Sequence, residues 1–339
     1  MNLPLPLRLL LWPFSLLYGA AARLQAWLYA LGIYTAKRLD APVVSVGNLT
    51  VGGTGKTPMV LWLAEKLLAQ GKHVAILSRG YRGSGGTSDE TEMLKGRLGD
   101  RVFFGVGPDR YMEGRRLESE NHVDVFLLDD GFQHQQLARA LDIVLVDSTV
   151  CLSKEWMLPA GRMREPISAL RRATATVLTR AHGESSESVA NQSIKKISGP
   201  RTFTAETKVL GYRRVSSGQL EQAIERELPP QPVFAFCGIG NPLAFFHDLA
   251  GWGITAAGQK AFRDHHSFSA QDIRTLEERA QSVGAKSLVT TEKDIQNLTG
   301  RQFSKLPLYA CVIELQIREE KEFCDLLNKK LARREEFLA

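Results

Sequence analysis

From residue 42 onward, short apolar runs alternate with longer amphipathic segments. Runs that stay apolar along most of their length are typical of strands in a parallel sheet with both faces covered. Strands are predicted at residues 43–46, 74–77, 102–106, 125–128, 143–146 and 176–179. Helices are predicted between them at residues 58–70 and 109–119. The alternation predicts an α/β fold, a mostly parallel sheet with helices on both faces.

A polar, serine-rich stretch at residues 184–200 predicts a boundary, after which a second α/β pattern begins. Its predicted strands lie at residues 202–206, 209–212, 287–290 and 308–314, with a strand and turn at 233–242, and its helices start at 243 and after 269. We therefore predict a core domain over residues 41–200 and a smaller α/β domain over residues 201–339. Residues 1–40 form a separate N-terminal segment.

The N-terminal segment is unusually apolar. Uncharged runs at residues 9–22 and 24–36 are each shorter than the ~20 residues that a spanning helix needs, and Pro13 is expected to interrupt the first. Four aromatic residues favour a membrane–water interface: Trp12, Tyr18, Trp27 and Tyr29. Three interpretations stay open, namely a cleaved signal peptide, a buried core helix and an apolar helix lying in a membrane interface.

Composition excludes broad classes without choosing a function. The 339 residues are 44% hydrophobic and 24% charged, which excludes a disordered chain and a polytopic membrane protein. The net charge of +6 is compatible with an anionic substrate, an acidic membrane surface or nucleic acid. The four cysteines (Cys151, Cys237, Cys311 and Cys324) form no C-x-x-C pair, so neither a zinc cluster nor a disulfide framework is indicated.

The strongest local motif is a phosphate-binding loop between the first predicted strand and helix. Glycines let backbone N–H groups face a phosphate, and the helix N-terminus adds partial positive charge. A lysine there reaches the β- and γ-phosphates of ATP, and the next hydroxyl binds Mg²⁺. The predicted nucleotide contacts are Thr50, Val51, Gly52, Gly53, Thr54, Gly55, Lys56 and Thr57. The alternative is a glycine-rich turn that binds no nucleotide, since Thr50 replaces the usual first glycine.

Downstream, an apolar run at residues 125–128 ends in Asp129 and Asp130. A carboxylate at the carboxyl end of a neighbouring parallel strand points into the crevice where ligands bind. These aspartates are therefore predicted to hold Mg²⁺ directly or through water. Together with the phosphate-binding loop and the parallel sheet, they predict a nucleotide-binding fold similar to that of P-loop NTPases.

Seven segments together resemble the tetraacyldisaccharide 4'-kinases, also called lipid A 4'-kinases. They occur in order as VGNLTVGGTGKTP at 46–58, SRGY at 78–81, DDGFQH at 129–134, LPAG at 158–161, REP at 164–166, FRDHH at 262–266 and TEKD at 291–294. The resemblance implies ATP-dependent phosphorylation of the 4'-hydroxyl of a tetraacyldisaccharide 1-phosphate, which gives lipid IVA. It also implies that the smaller domain closes the active-site cleft.

The resemblance also implies roles for individual residues. Asp89 matches the aspartate of the family's catalytic pair, although Thr91 stands where the family has proline, and His265 matches the histidine. A carboxylate beside an imidazole fixes its tautomer and raises its basicity. The oxygens expected near the metal belong to Thr57, Asp129, Asp130, Glu90 and Glu165.

The implied setting is the cytoplasmic face of the bacterial inner membrane. Residues 1–36 would dock the enzyme peripherally beside its lipid substrate, and we predict a monomer that binds no nucleic acid. The competing hypothesis is a non-catalytic phosphate-loop switch or assembly factor. It accounts for residues 50–57 and Asp129 but gives His265 no role.

Overall fold

The computed structural model describes residues 4–80, 88–180, 200–216, 219–298 and 303–335. Its strands are β1 (Val43–Asn48), β2 (Val74–Ser78), β3 (Val102–Val106), β4 (Val125–Asp129), β5 (Leu141–Asp147), β6 (Ala175–Thr179), β7 (Arg201–Ser216), β8 (Gln219–Leu220), β9 (Val233–Cys237), β10 (Ala256–Ala261), β11 (Ser287–Thr291) and β12 (Leu308–Ile317). Its helices are α1 (Leu5–Ala30), α2 (Lys56–Ala69), α3 (Asp89–Leu98), α4 (Arg110–Glu120), α5 (Pro242–Gly251), α6 (Ala270–Ser282), α7 (Glu292–Gln296) and α8 (Glu320–Glu335).

The chain forms two compact units. The first comprises the described residues of Met1–Arg82, Leu98–Glu206 and Leu315–Ala339, and the second those of Gly83–Arg97 and Thr207–Glu314. These units differ at three places from the contiguous domains predicted at 41–200 and 201–339. The described residues 88–97 lie in the second unit, whereas residues 201–206 and the described residues from Leu315 onward lie in the first.

The sheet of the first unit has the order β7-β6-β5-β1-β4-β2-β3, and every neighbouring pair in it is parallel. Strands β1, β2, β4, β5 and β6 are buried along their whole length, as their apolar sequences require. The predicted fold class is confirmed. Because β1 lies between β4 and β5, its carboxyl end meets that of β4, and this end of the sheet is where α/β folds bind ligands.

Helix α8 belongs to the first unit because its aromatic contacts lie there. The Phe323 ring packs edge-on against Trp62 of α2 and against Phe203 of β7, with centroids 5.6 and 5.0 Å apart. Aromatic pairs at this spacing stabilise beyond the area they bury. The polar C-terminal sequence gave no apolar run that would have predicted this helix.

In the second unit, β10-β9-β11-β12 form a parallel sheet, and β8 pairs antiparallel with the end of β7. The two strands predicted at residues 202–206 and 209–212 are one strand, β7. Polar residues between them, such as Lys208, are not buried, so they interrupt the apolar run without interrupting the strand. The predicted boundary at 184–200 falls, apart from Pro200, outside the described residues.

Helix α1 runs without a break through Pro13, so the expected interruption is wrong. Proline removes one backbone donor within a helix, and this helix nevertheless continues on both sides of it. The Ser15 hydroxyl donates to the Met157 carbonyl (3.0 Å) and accepts the Ala160 N–H (3.0 Å), which fixes α1 on a loop of the first unit. Only Ser15 and Gly19 of α1 are buried, so the core-helix interpretation does not hold within this chain.

Candidate active site

The phosphate-binding loop lies between β1 and α2, as predicted. Gly52 and Gly55 have φ values of 116° and 90°, a left-handed backbone that favours glycine. Gly55 immediately precedes α2, and no described side chain caps this helix. The first N–H groups of α2 therefore remain available to an anion, together with the positive end of the helix dipole.

Side chains from β1 and from the end of β6, which lie on either side of β5, hold the loop in this shape. The Asn48 amide donates to the Thr54 hydroxyl (2.8 Å), and the Thr179 hydroxyl donates to the Thr54 carbonyl (3.0 Å). The Arg180 guanidinium donates to the Gly53 carbonyl (3.0 Å). Two loop carbonyl groups are thereby engaged by side chains. The Val51 and Thr54 N–H groups donate to the Arg162 and Gly52 carbonyls, so the backbone donors expected to meet a phosphate are the others of this loop and those at the start of α2.

Lys56 and Arg164 both contact Asp130. The Lys56 Nζ lies 3.6 Å from Asp130 Oδ1, and Arg164 donates to both carboxylate oxygens at 2.8 and 2.7 Å. Burial alone would raise the pKa of Asp130, but the two cations outweigh it and lower that pKa. Two cations converge here at the start of α2, where the terminal phosphates of a nucleotide would provide further anionic partners.

Thr57 and Asp129 offer oxygen ligands beside this cluster. Thr57 lies in the first turn of α2, and Asp129 is the last residue of β4 and is buried. The register pairs Asp129 with Val46 of β1, so the carboxylate lies beside the strand that leads into the loop. Hydroxyl and carboxylate oxygens are the ligands that Mg²⁺ prefers, and these two residues fit that ion.

Glu165, predicted to lie near the metal, is held in a buried ion pair. Arg172 donates to both of its oxygens (2.8 and 3.1 Å), and Gln133 donates to Oε1 (3.2 Å). Gln133 also accepts from Arg164 at 3.4 Å. Glu165 therefore binds Arg172 directly and reaches Arg164 only through Gln133, and a direct metal role for it stays a prediction.

In the second unit, the predicted catalytic pair is in contact. His265 Nδ1 lies 2.9 Å from Asp89 Oδ2, although 176 residues separate the two in sequence. The Asn297 amide donates to the same oxygen at 2.7 Å. Burial would raise the pKa of Asp89, but the hydrogen bonds from His265 and Asn297 lower it overall. The hydrogen bond to Asp89 in turn raises the pKa of His265.

The backbone at His265 is held in an uncommon conformation. Its φ is 58°, a left-handed value that few residues other than glycine adopt, and its N–H donates to the Gly238 carbonyl at 3.1 Å. Such conformations persist where the surroundings fix them, and they concentrate at functional sites. Asp89 is the first residue of α3, where the helix N-terminus favours a carboxylate.

Lys293 connects the remaining charges of this cluster. Its Nζ lies 2.9 Å from Glu90 Oε1, 3.1 Å from Asp264 Oδ1 and 3.4 Å from His265 Nε2. Burial would lower the pKa of Lys293, but Glu90 and Asp264 raise it overall. Glu90 was predicted to lie near the metal, and the structure pairs it with this ammonium group. A metal role for Glu90 likewise stays a prediction.

Asn297 and the TEKD segment at 291–294 also contribute to this cluster, although neither has a role that the sequence alone predicts. In the structure, Glu292 pairs with Arg97 at the end of α3 (3.0 Å), and Asp294 accepts the Gly238 N–H (2.7 Å). Burial raises the pKa of Asp294. The segment therefore ties α3 and the turn before His265 to one strand end. The TEKD segment was visible as part of the resemblance, whereas Asn297 gave no signal.

Comparison with known proteins identifies the family. The profile described as Tetraacyldisaccharide-1-P 4'-kinase matches residues 7–332. The chain belongs to the tetraacyldisaccharide 4'-kinase family. The resemblance noted in the sequence is thereby confirmed.

Individual members of the tetraacyldisaccharide 4'-kinase family match along almost their whole length. The tetraacyldisaccharide 4'-kinase of Geobacter metallireducens is 37% identical over 94% of this chain and 96% of its own. That of Geobacter sulfurreducens is 39% identical over 88% of this chain and 87% of its own. A crystal structure of LpxK from Aquifex aeolicus in complex with ATP superposes with a TM-score of 0.73 at 31% identity. It covers 96% of this chain and 99% of that one.

Proposed function

We propose that this protein transfers the γ-phosphoryl group of ATP to the 4'-hydroxyl of a tetraacyldisaccharide 1-phosphate, which gives lipid IVA and ADP. Family membership over residues 7–332 supports the reaction. The observation that carries the proposal is the contact between Asp89 and His265, in a chain that also has an intact phosphate-binding loop. A non-catalytic nucleotide switch would need the loop but not this pair.

The loop and Lys56 bind the triphosphate. Lys56 exchanges part of its contact with Asp130 for phosphate oxygens, and Arg164 stays on Asp130. Thr57 and Asp129 would hold Mg²⁺, which when bound neutralises charge on the β- and γ-phosphates. The N–H groups at the start of α2 donate hydrogen bonds to the oxygens of the same terminal phosphates.

Asp89 receives the proton of the sugar hydroxyl. Its Oδ2 accepts from both His265 and Asn297, whereas Oδ1 accepts no hydrogen bond from the residues that the structure describes. In the reaction, the 4'-oxygen bonds to the γ-phosphorus as the bond from that phosphorus to the β–γ bridging oxygen breaks. The hydroxyl proton passes to Oδ1. In a loose transition state this proton leaves late, so a carboxylate of low pKa suffices.

The proposed activity is tested with the full chain, γ-labelled ATP and the disaccharide 1-phosphate lipid in detergent micelles. We expect a bisphosphorylated lipid from the natural protein and none from Asp89→Asn, while ATP binding by Asp89→Asn stays unchanged. Asp325→Asn, an exposed carboxylate on α8, is the matched control and keeps full activity. Equal transfer by Asp89→Asn would remove Asp89 from the mechanism.

We also propose that α1 holds the enzyme peripherally on the cytoplasmic face of the bacterial inner membrane. Large apolar side chains of α1 are exposed, among them Leu10 (69%) and Leu17 (69%). The helix has 26 residues and is apolar enough to cross a membrane by length and composition. However, Ser15 and Arg8 bind the loop at residues 156–160, which favours a helix that lies along the surface beside the first unit.

A monomer that binds no nucleic acid remains our prediction. Light scattering on the detergent-solubilised full chain tests the oligomeric state. A stable dimer would contradict the prediction.

A further inference from the structure

Three potential metal ligands meet at the amino-terminal edge of the first unit's sheet. His73 directly precedes β2, while His122 and Asp124 precede β4. His73 Nδ1 lies 3.0 Å from Asp124 Oδ2, and His122 Nε2 lies 3.3 Å from Asp124 Oδ1. One ligand atom from each residue lies within 4.8 Å of the other two. Neither the sequence analysis nor the family comparison assigns these residues a role.

The backbone fixes the carboxylate of this cluster. The His73 N–H donates to Asp124 Oδ2 (2.6 Å), and the Asp124 N–H donates to the His73 carbonyl (2.9 Å). The next residues, Val74 and Val125, are paired in the sheet. The position of Asp124 relative to His73 is thus set by the fold. A fixed outer contact of this kind orients a ligating carboxylate.

The two imidazoles, in contrast, can adjust. The His73 and His122 side chains are 58% and 75% exposed, and their rings stand edge to face with centroids 5.1 Å apart. Tetrahedral ligands at a Zn–N distance of about 2.0–2.1 Å lie roughly 3.3 Å from one another. The two ring nitrogens lie 3.0 and 3.3 Å from different oxygens of the Asp124 carboxylate. Rotation of the exposed imidazoles would therefore be needed to bring one carboxylate oxygen and both nitrogens to this spacing around one ion.

We propose that His73, His122 and Asp124 bind one divalent transition-metal ion, with Zn²⁺ as the reference ion and water completing the coordination. Two neutral imidazoles and one carboxylate suit zinc, nickel, copper or cobalt rather than Mg²⁺, which prefers oxygen ligands in an octahedron. Binding takes the imidazoles in their neutral form with the lone pair directed at the metal, and any proton on a ligating nitrogen is released to solvent.

This ion is not the one that accompanies ATP. Asp124 precedes β4 and Asp129 ends it, so about 16 Å of extended strand separates the two carboxylates. The proposed ion would instead join the loop before β2 to the loop before β4. Because it binds the folded chain, it would stabilise the first unit against unfolding.

The test titrates Zn²⁺ into the full chain without a polyhistidine tag, against a chromogenic chelator and with excess Mg²⁺ to saturate the oxygen sites. His73→Gln and His122→Gln remove one imidazole each from exposed positions, and circular dichroism without zinc verifies their folding. Asp124 is kept because its carboxylate holds the His73 N–H. His247→Gln is the matched control, since His247 is 80% exposed beside Asp248 but is not part of the cluster.

We expect the natural protein and His247→Gln to bind one zinc ion more tightly than either cluster variant, by at least about tenfold. We also expect zinc to raise the unfolding temperature of these two proteins and not that of the cluster variants. With Co²⁺ as the probe, the visible spectrum of a nitrogen-ligated site should vanish in both cluster variants. Equal zinc affinity and equal thermal shifts in all four proteins would overturn the proposal.

Discussion

Replacing His265 tests the role of the imidazole beside Asp89. His265→Ala removes the hydrogen bond of 2.9 Å to Asp89 Oδ2 but leaves the Asn297 bond to the same oxygen. His265→Asn is the informative companion, because asparagine tolerates the left-handed φ of 58° and places an amide nitrogen close to the position of Nδ1. The asparagine variant therefore keeps a donor but cannot titrate.

The expected magnitude follows from the lost bond. A hydrogen bond to a charged group contributes about 1.5–3 kcal/mol, and each 1.36 kcal/mol of barrier is about tenfold in rate. We expect kcat of His265→Ala to fall about 10- to 150-fold, with a smaller loss in His265→Asn. The KM for ATP should not change, because the triphosphate contacts come from the loop and Lys56.

The pH dependence separates the two roles of the imidazole. The hydrogen bond to Asp89 raises the pKa of His265 above its ordinary value of 6.5. As pH rises through that raised pKa, His265 loses its charge and Asp89 becomes a stronger base, while the neutral imidazole can still donate its Nδ1–H and hold the carboxylate in position, which alanine cannot. In the natural protein, kcat should therefore rise with pH and level off, and this rise should be absent from both variants.

The assay is initial-rate transfer from γ-labelled ATP to the lipid acceptor in detergent micelles, measured from pH 5.5 to pH 9. Circular dichroism and ATP binding confirm that each variant is folded. The reasoning is refuted if both variants stay within twofold of the natural kcat, or if His265→Asn keeps the same rise of kcat with pH.

Three further outcomes follow from the contacts. Arg172→Met leaves the buried Glu165 without its main cation and should lower the free energy of unfolding by about 3–5 kcal/mol in urea titrations. The control Arg116→Met, on the exposed face of α4, should change that free energy little. Equal effects of the two substitutions would contradict the buried pair. The double variant Leu10→Glu with Leu17→Glu should sediment much less with anionic vesicles than the natural protein. The control Leu243→Glu, at a residue 76% exposed on α5, should sediment as the natural protein does. Full sedimentation of the double variant would refute the proposed anchor. Because His265 has a raised pKa when folded, its ion pair with Asp89 stabilises fully below pH 6.5 and is lost as pH rises through the folded pKa. His265→Ala should therefore cost more stability at pH 6 than at pH 9, and the opposite order would contradict the pair.

Local patterns predicted the core of the first unit well. Apolar runs predicted the bounds of β1, β2 and β4 to within two residues, and the glycines before Lys56 predicted the phosphate-binding loop. Strands and loop were predictable because each depends on residues that are neighbours in the sequence. Helix α3 was missed, since its sequence is polar and its place depends on contacts such as Arg97 with Glu292, 195 residues away. The interruption expected at Pro13 did not occur, and the contacts of Ser15 with residues 157 and 160, which dock α1 on the first unit, could not be predicted from neighbouring residues.

The candidate site shows the same limit. The pairing of Asp89 with His265 came from a family resemblance, because no local rule relates residues 176 positions apart. The ion pairs of Glu90 with Lys293 and of Glu165 with Arg172 could not be predicted. Each depends on which cation the fold brings within hydrogen-bond distance of a buried carboxylate.

The position of the transferred phosphoryl group is the most direct test of the central claim. The full chain is incubated with ATP that carries ¹⁸O on its γ-phosphate and with the disaccharide 1-phosphate lipid, and the product is fragmented in a mass spectrometer. We predict a single ¹⁸O-labelled phosphoryl group at the 4'-oxygen, and no labelled lipid from Lys56→Ala. Labelled inorganic phosphate with an unmodified lipid would contradict the account, because the protein would then hydrolyse ATP without transferring its phosphoryl group.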